Sequence, residues 1–196
     1  MTFRMAALGL GLALAATTAS ADSWTLDAGA SNLAFGSIKF NDTGEAHSFT
    51  SIDGKVAADG AVTLGIDLSS VETNIDIRNE RMVEHVFKYA PRATVSAQID
   101  MAAMEGLAVG QSKVMEVEGD LDLLGVEVPL YGDMFVMRLT EDKVMVTTDS
   151  MMFLSTADAE IDPGIDTLME LASLPNIVRA VPVTLRLMFD ADGASG

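Results

Sequence analysis

Residues 114–132 read VMEVEGDLDLLGVEVPLYG, and this stretch decides the fold of the chain. From Met115 to Leu123 an apolar or small residue occupies every second position, and an acidic residue occupies each position between. Because successive side chains of a strand point to opposite faces, the alternation predicts a β-strand with one apolar face and one face in water. Gly125 interrupts the pattern and predicts a turn, after which a second strand returns antiparallel to the first. Such a sheet has to enclose an interior with its apolar face.

Other segments share the two-residue period, most clearly Val62–Leu68 and Val183–Phe189. Counting the weaker segments as well gives about eight strands at regular spacing, which is typical of an all-β barrel or sandwich. Because several strands have one consistently apolar parity, we favour an eight-stranded antiparallel barrel. A barrel of about eight strands has an interior that side chains can fill or that can hold one small ligand.

Helical spacing occurs at only two places, which predicts one or two short helices that cover the barrel. The first is Ile77–Tyr89, with Asp76 as the expected N-cap and Pro91 beyond its end. The second begins with Asp162 as the expected N-cap and Pro163 at the first helical position.

The first 21 residues have the pattern of an export signal. Arg4 precedes the uncharged apolar run Met5–Ala16, and the small residues 19–21 form a cleavage site. We therefore expect a signal peptide over residues 1–21, a single mature domain over residues 22–196 and a periplasmic location. The apolar run is shorter than the roughly 20 residues that a transmembrane helix needs, so an uncleaved anchor is the less favoured alternative.

The charge and the absence of cysteine exclude several classes of function. The chain has 29 acidic and 12 basic residues, and its net charge is −17. This negative field would repel nucleic acids and anionic membrane surfaces, so we expect neither as a partner, and we expect no membrane insertion. With no cysteine, the chain can form no disulfide, thiolate nucleophile or cysteine-ligated metal site.

No motif predicts catalysis, a cofactor or a metal. His47 and His85 are the only histidines, lack the spacing of metal ligands and are interpreted as surface residues. The acidic residues of 116–122 are an alternative cation site or carboxylate pair, but the outer face of a solvated strand needs the same residues. Copper binding by Met151 and Met152 is a weaker alternative. The chain has no G-x-S-x-G motif and no glycine-rich phosphate loop.

Several blocks of sequence, in the order in which they occur, resemble a known family. They are Trp24–Asp27 with Ser31 and Phe35, Ser70–Thr73, Arg78–Met82 with Phe87 and Pro91, Ala93–Val95, and Val117–Leu121 with Leu124–Val126 and Pro129. Together they resemble the YceI-like lipid/polyisoprenoid-binding family over nearly the whole of residues 22–196. The resemblance implies an eight-stranded antiparallel, lipocalin-like barrel with a helix against it. It also implies a cavity for a long isoprenoid chain, a periplasmic or secreted protein, and no catalytic apparatus.

These observations predict a periplasmic carrier that sequesters an isoprenoid or quinone-like lipid by burial alone. The alternatives are a filled barrel that serves as a stress-response or protein-interaction module and, ranked last, an enzyme that uses carboxylates. A homodimer is compatible with the sequence. The residues predicted to line the cavity are Phe35, Leu64, Ile66, Val117, Leu121, Leu123, Phe135, Leu185, Leu187 and Phe189, with Met82, Val86 and Phe87 on the covering helix.

Basic residues are concentrated around the first predicted helix. Arg78 and Arg81 are the candidates for the mouth of the cavity, since a guanidinium group suits the oxygens of a phosphate. The alternative is that these arginines pair with Glu80 and Glu84 on a solvated helix face.

Overall fold

The computed structural model describes residues 23–193, so the predicted signal peptide lies outside the described part of the chain. Twelve β-segments make one antiparallel sheet. They are β1 (Trp24–Leu26), β2 (Asn32–Lys39), β3 (Thr43–Phe49), β4 (Ile52–Val56), β5 (Ala61–Asp67), β6 (Val71–Glu72), β7 (Arg92–Gln98), β8 (Ser112–Leu123), β9 (Val126–Thr140), β10 (Lys143–Thr148), β11 (Met152–Ser155) and β12 (Ala180–Ala191).

The helical segments are short. They are α1 (Asp76–Arg81), which continues into a π-helical turn at Met82–Val86, α2 (Ala102–Glu105) and α3 (Asp162–Ala172), with 3-10 turns at Ala28–Ala30 and Leu68–Ser70. Within residues 23–193, no helix is both long enough and apolar enough to span a membrane.

The sheet closes into a barrel of eight antiparallel strands, as the sequence predicts. Four of the eight strands are interrupted, and each consists of two segments in line: β1 with β2, β3 with β4, β5 with β6, and β10 with β11. The two segments of one such strand pair with successive segments of the next, as β1 does with β4 and β2 with β3, while β10 and β11 both pair with β12. The last strand, β12, pairs with both β1 and β2 and so closes the ring. Each strand therefore lies between its neighbours in sequence, which is the topology of an up-and-down barrel.

The hairpin of β8 and β9 has the register that the sequence predicts. Leu123 pairs with Val126 across a turn whose two residues, Leu124 and Gly125, both have positive φ (58° and 82°). This is the type I′ geometry that two-residue hairpins favour, and glycine adopts its second position without strain. Leu121 and Leu123 are buried, while the acidic residues between positions 115 and 123 are exposed.

Two connections of the wall have local structure of their own. A break at Thr50 and Ser51 separates β3 from β4. The segment between β7 and β8 begins with the single turn of α2.

The first helix begins and ends differently from the prediction. Asp76 is its first residue and Ile75 holds the N-cap position, and in α3 Asp162 is likewise the first residue rather than the cap. The helix ends after the π-helical turn because Lys88 and Tyr89 adopt left-handed backbone conformations (φ 52° and 59°), which no right-handed helix can include.

The two helical segments that cover the barrel, α3 and the π-helical turn, contact each other closely through their backbones. A Cβ atom on Gly164 of α3 would lie 2.5 Å from the carbonyl oxygen of His85 and 2.7 Å from the Cα of Val86. Only glycine allows α3 to approach the π-helical turn so closely. Val86 and Ile165 are buried there in the same apolar cluster as Leu121 on the barrel wall, so the helices and the barrel share one core.

Candidate functional site

The barrel and its covering helices enclose an apolar cavity with a volume of about 590 Å³. Its wall comes from β2, β3, β5, β7, β8, β9, β11 and β12 and from α1, the π-helical turn and α3. Small-molecule sites are commonly concave, mostly apolar and a few hundred Å³ or more in volume. The cavity is therefore the candidate site, and β5, β7 and β8 each contribute to it through one parity of their side chains.

Most of the residues predicted to line a cavity do so. The structure places at its wall Phe35, Leu64, Ile66, Val117, Leu121, Leu123 and Leu185 from the barrel, Met82, Val86 and Phe87 from the cover, and Arg78 and Arg81.

Three of the predicted lining residues lie elsewhere. Phe135 belongs to the outward parity of β9, since its neighbours Met134 and Val136 are the buried ones. Leu187 and Phe189 are buried in the core (6% and 5% exposed), but they pack against β1 and β10 and do not reach the cavity. The prediction for Phe135 is wrong because its side chain lies on the other face of its strand. The predictions for Leu187 and Phe189 are wrong because these residues face the interior at a level of the barrel beyond the cavity.

His47 is a buried residue of the cavity wall, so the prediction that it lies at the surface is wrong. Its side chain is 5% exposed, its Nε2 lies 2.9 Å from the Oγ of Ser37, and its ring centroid lies 5.2 Å from that of Phe35. Burial and the positive charge of Arg78 lower the pKa of His47 below its ordinary value. The parity that His47 shares with Phe49 in β3 was the signal that could have predicted this.

Lys39, Glu45 and Arg78 form a bridge of charges at the cavity wall. The Nη1 of Arg78 donates to Oε2 of Glu45 at 2.8 Å, and the Nζ of Lys39 lies 3.1 Å from Oε1 of the same carboxylate. Burial alone would raise the pKa of Glu45, but the hydrogen bonds and charges of Lys39 and Arg78 outweigh it and hold that pKa below its usual value. Arg78 thus pairs with β3 across the cavity edge and not with the glutamates of its own helix.

Arg81 is the second arginine of the wall. It is half-buried, and no carboxylate in the part of the chain that the structure describes forms a salt bridge with it. Its guanidinium group is therefore available to a polar group near the cavity.

The cavity opens between the turn that joins β2 to β3 and the beginning of α1. Phe40, Ile75 and Ile77 line the cavity and are also 48%, 44% and 50% exposed, and Phe153 on β11 lines it and is 67% exposed. An enclosed wall would bury such side chains, so their exposure marks the opening. The Lys39–Glu45–Arg78 bridge belongs to the same end, since Lys39 directly precedes Phe40 and Arg78 directly follows Ile77.

This arrangement suits the burial of an apolar molecule that has a polar group at one end. Its wall is mostly apolar, and its charged side chains, Lys39, Glu45, Arg78 and Arg81, come from the end of β2, from β3 and from α1. Across residues 23–193, no group of three His, Cys, Asp or Glu side chains could hold a metal ion.

Comparison with known proteins gives a consistent result. The family profile described as YceI-like domain matches residues 24–167. A solved polyisoprenoid-binding domain from Saccharophagus degradans, implicated in plant cell wall breakdown, is 40% identical, with 86% of this chain and 98% of that chain covered and a TM-score of 0.84. BcnA from Burkholderia cenocepacia is 14% identical, with 83% and 98% covered and a TM-score of 0.64, a likeness of fold. No curated protein matches the chain significantly.

Proposed function

This chain belongs to the YceI-like family, and from that premise we propose that it is a carrier that binds a long apolar lipid of the isoprenoid class inside its barrel. The observation that carries the proposal is the apolar cavity of about 590 Å³. The solved domain from Saccharophagus degradans, which binds polyisoprenoid, supports the same ligand class at 40% identity.

The proposed mechanism is burial without chemistry. Each CH₂ group taken out of water is worth about 0.8 kcal/mol, so a five-carbon isoprene unit contributes up to about 4 kcal/mol before the chain loses conformational freedom. Shape and an apolar wall suffice for such binding, and no proton transfer or covalent step is needed. A filled barrel acting through a protein partner would instead need an interior closed by side chains, which the cavity volume argues against.

We infer that the polar end of the lipid lies at the opening. Arg81 lines the cavity without a salt bridge to any residue of 23–193, and a guanidinium group suits the oxygens of a phosphate or of a quinone carbonyl. Arg78 is already neutralised by Glu45 at 2.8 Å and contributes less. The export pattern of residues 1–21 supports a periplasmic location for this carrier.

The experiment that tests the carrier function is native mass spectrometry of the protein purified without detergent, followed by organic extraction of the added mass. We expect a stoichiometric lipid adduct of isoprenoid composition. Val117→Trp, which places a large ring in the cavity, should abolish the adduct. Glu118→Trp, which places the same ring on the outer face of β8, should retain it.

The result that would refute the proposal is an unliganded mass that stays unchanged after incubation with polyprenyl and quinone lipids. Equal adducts in Val117→Trp and Glu118→Trp would show that the lipid binds outside the barrel.

A further inference from the structure

We propose that the rim of the cavity, defined as Phe40, Ile75 and Ile77, docks on the surface of a bilayer of zwitterionic lipids. The inference rests on the proposed carrier function and adds where the protein takes up and delivers its ligand.

The rim joins the interior of the barrel to the outer surface. Each of its three side chains lines the cavity and is about half exposed, at 48%, 44% and 50%. The rim therefore gives an apolar path from the cavity to the outside of the protein, beside the Lys39–Glu45–Arg78 bridge. A lipid chain that passed over the rim from a bilayer would stay in contact with apolar groups, and so would avoid the cost of exposure to water.

Phe40 has a backbone conformation that a phenylalanine adopts only at a cost. Phe40 and Asn41 occupy the two central positions of the turn after β2 with φ of 57° and 67°. Both positions of such a type I′ turn favour glycine, asparagine or aspartate, and a bulky residue with positive φ is a strained outlier. Strained residues of this kind cluster at functional sites. Phe40 recovers little of this cost by burial, since it is 48% exposed, and a contact with an apolar surface outside the chain would offset it.

The chemistry of the ligand selects a bilayer as the partner. Lipids of the isoprenoid class reside in membranes, so a carrier of them has to load at a membrane surface. Three half-exposed side chains make a small contact, which gives the weak and reversible attachment that a carrier needs, since interfacial binding scales with the apolar area that is buried. The charges beside the rim balance, since Asp42, Glu45 and Asp76 offset Lys39, Arg78 and Arg81, while the chain charge of −17 disfavours anionic lipids.

The test measures cosedimentation of the full mature chain with phosphatidylcholine vesicles. We expect Phe40→Asn combined with Ile77→Ser to lower the vesicle partition coefficient by about tenfold or more, since two side chains would lose their apolar burial. Tyr131→Ser and Val114→Ser are the matched controls, because both residues are exposed (65% and 49%) and neither lines the cavity. Phe40→Asn suits the turn, so its melting temperature should not fall.

Two further measurements separate docking from ligand binding. Lipid added from organic solvent should load rim variants and the parent chain equally in native mass spectrometry, whereas transfer from vesicles should be slower in the rim variants alone. Absence of vesicle association in the parent chain, or equal losses in rim and control variants, would overturn the docking proposal while leaving an observed lipid adduct in place. A dimer in sedimentation velocity that rim variants abolish would instead assign the rim to a second copy and also overturn it. Failure of the parent chain to load by either route would refute the carrier function itself.

Discussion

Leu121→Glu should destabilise the protein strongly and in a way that depends on pH. Leu121 is 8% exposed, lies on the cavity wall and pairs with Val95 and Val128 in the neighbouring strands. A carboxyl group at that position loses its hydration, which raises its pKa in the folded state. At pH 7 keeping it protonated costs at most about 3.7 kcal/mol relative to an ordinary glutamate, because each pH unit above a pKa of about 4.3 is worth about 1.36 kcal/mol.

The loss of the leucine adds to this cost. Partial loss of its apolar burial contributes about 1–2 kcal/mol, so the free energy of unfolding should fall by about 4–6 kcal/mol at pH 7. The unfolded state binds fewer protons than the folded state above pH 4.3, so the loss grows with rising pH and shrinks to about 1–2 kcal/mol near pH 4. A small domain has only about 5–15 kcal/mol of stability in total, so the variant should be close to unfolding at neutral pH and should not retain ligand.

Urea denaturation of the variant and the parent chain at pH 4.5 and pH 7 measures this effect. Glu118→Gln is the control, because Glu118 is exposed on the opposite face of β8 and its loss should change stability by less than about 0.5 kcal/mol. A loss below about 1 kcal/mol for Leu121→Glu at both pH values would show that the interior is not where β8 places it.

Three further predictions concern the cover and the polar groups of the wall. Gly164→Ala should lower the free energy of unfolding by about 1–3 kcal/mol, because the new methyl group would lie 2.5 Å from the His85 carbonyl oxygen, and a neutral result in urea would contradict that packing. Asn79→Ala should cost about 1–3 kcal/mol by removing the acceptor of the buried Thr73 N–H, now 2.9 Å away; unaltered melting would refute this role. Burial and a nearby charge lower the pKa of His47, so the unfolded state binds the proton more readily and melting temperature should decline as pH falls through about 6.5. His47→Gln should remove this part of the slope, and a slope that persists would assign it to other groups.

The sequence by itself determined the fold class and the sides of the strands. The alternation over residues 115–123 and 183–189 appears in β8 and β12, and the turn at Gly125 lies where the pattern is interrupted. These features follow from local rules, since a two-residue side-chain period and a glycine with positive φ depend only on neighbouring residues. The same period correctly assigned Leu121 to the interior.

Only the tertiary structure decided which interior residues meet the cavity. Leu185, Leu187 and Phe189 share one parity of β12, yet only Leu185 reaches the cavity wall, because depth along the barrel depends on how all eight strands are staggered.

The contacts of the polar residues in the site could not be predicted from a local sequence pattern either. Arg78 pairs with Glu45, which lies 33 residues earlier in the chain, and His47 is buried by strands and helices far from it in sequence. Parity along a strand is a local property, whereas the choice of charge partner and the burial of a ring depend on closure of the barrel, which brings distant segments together.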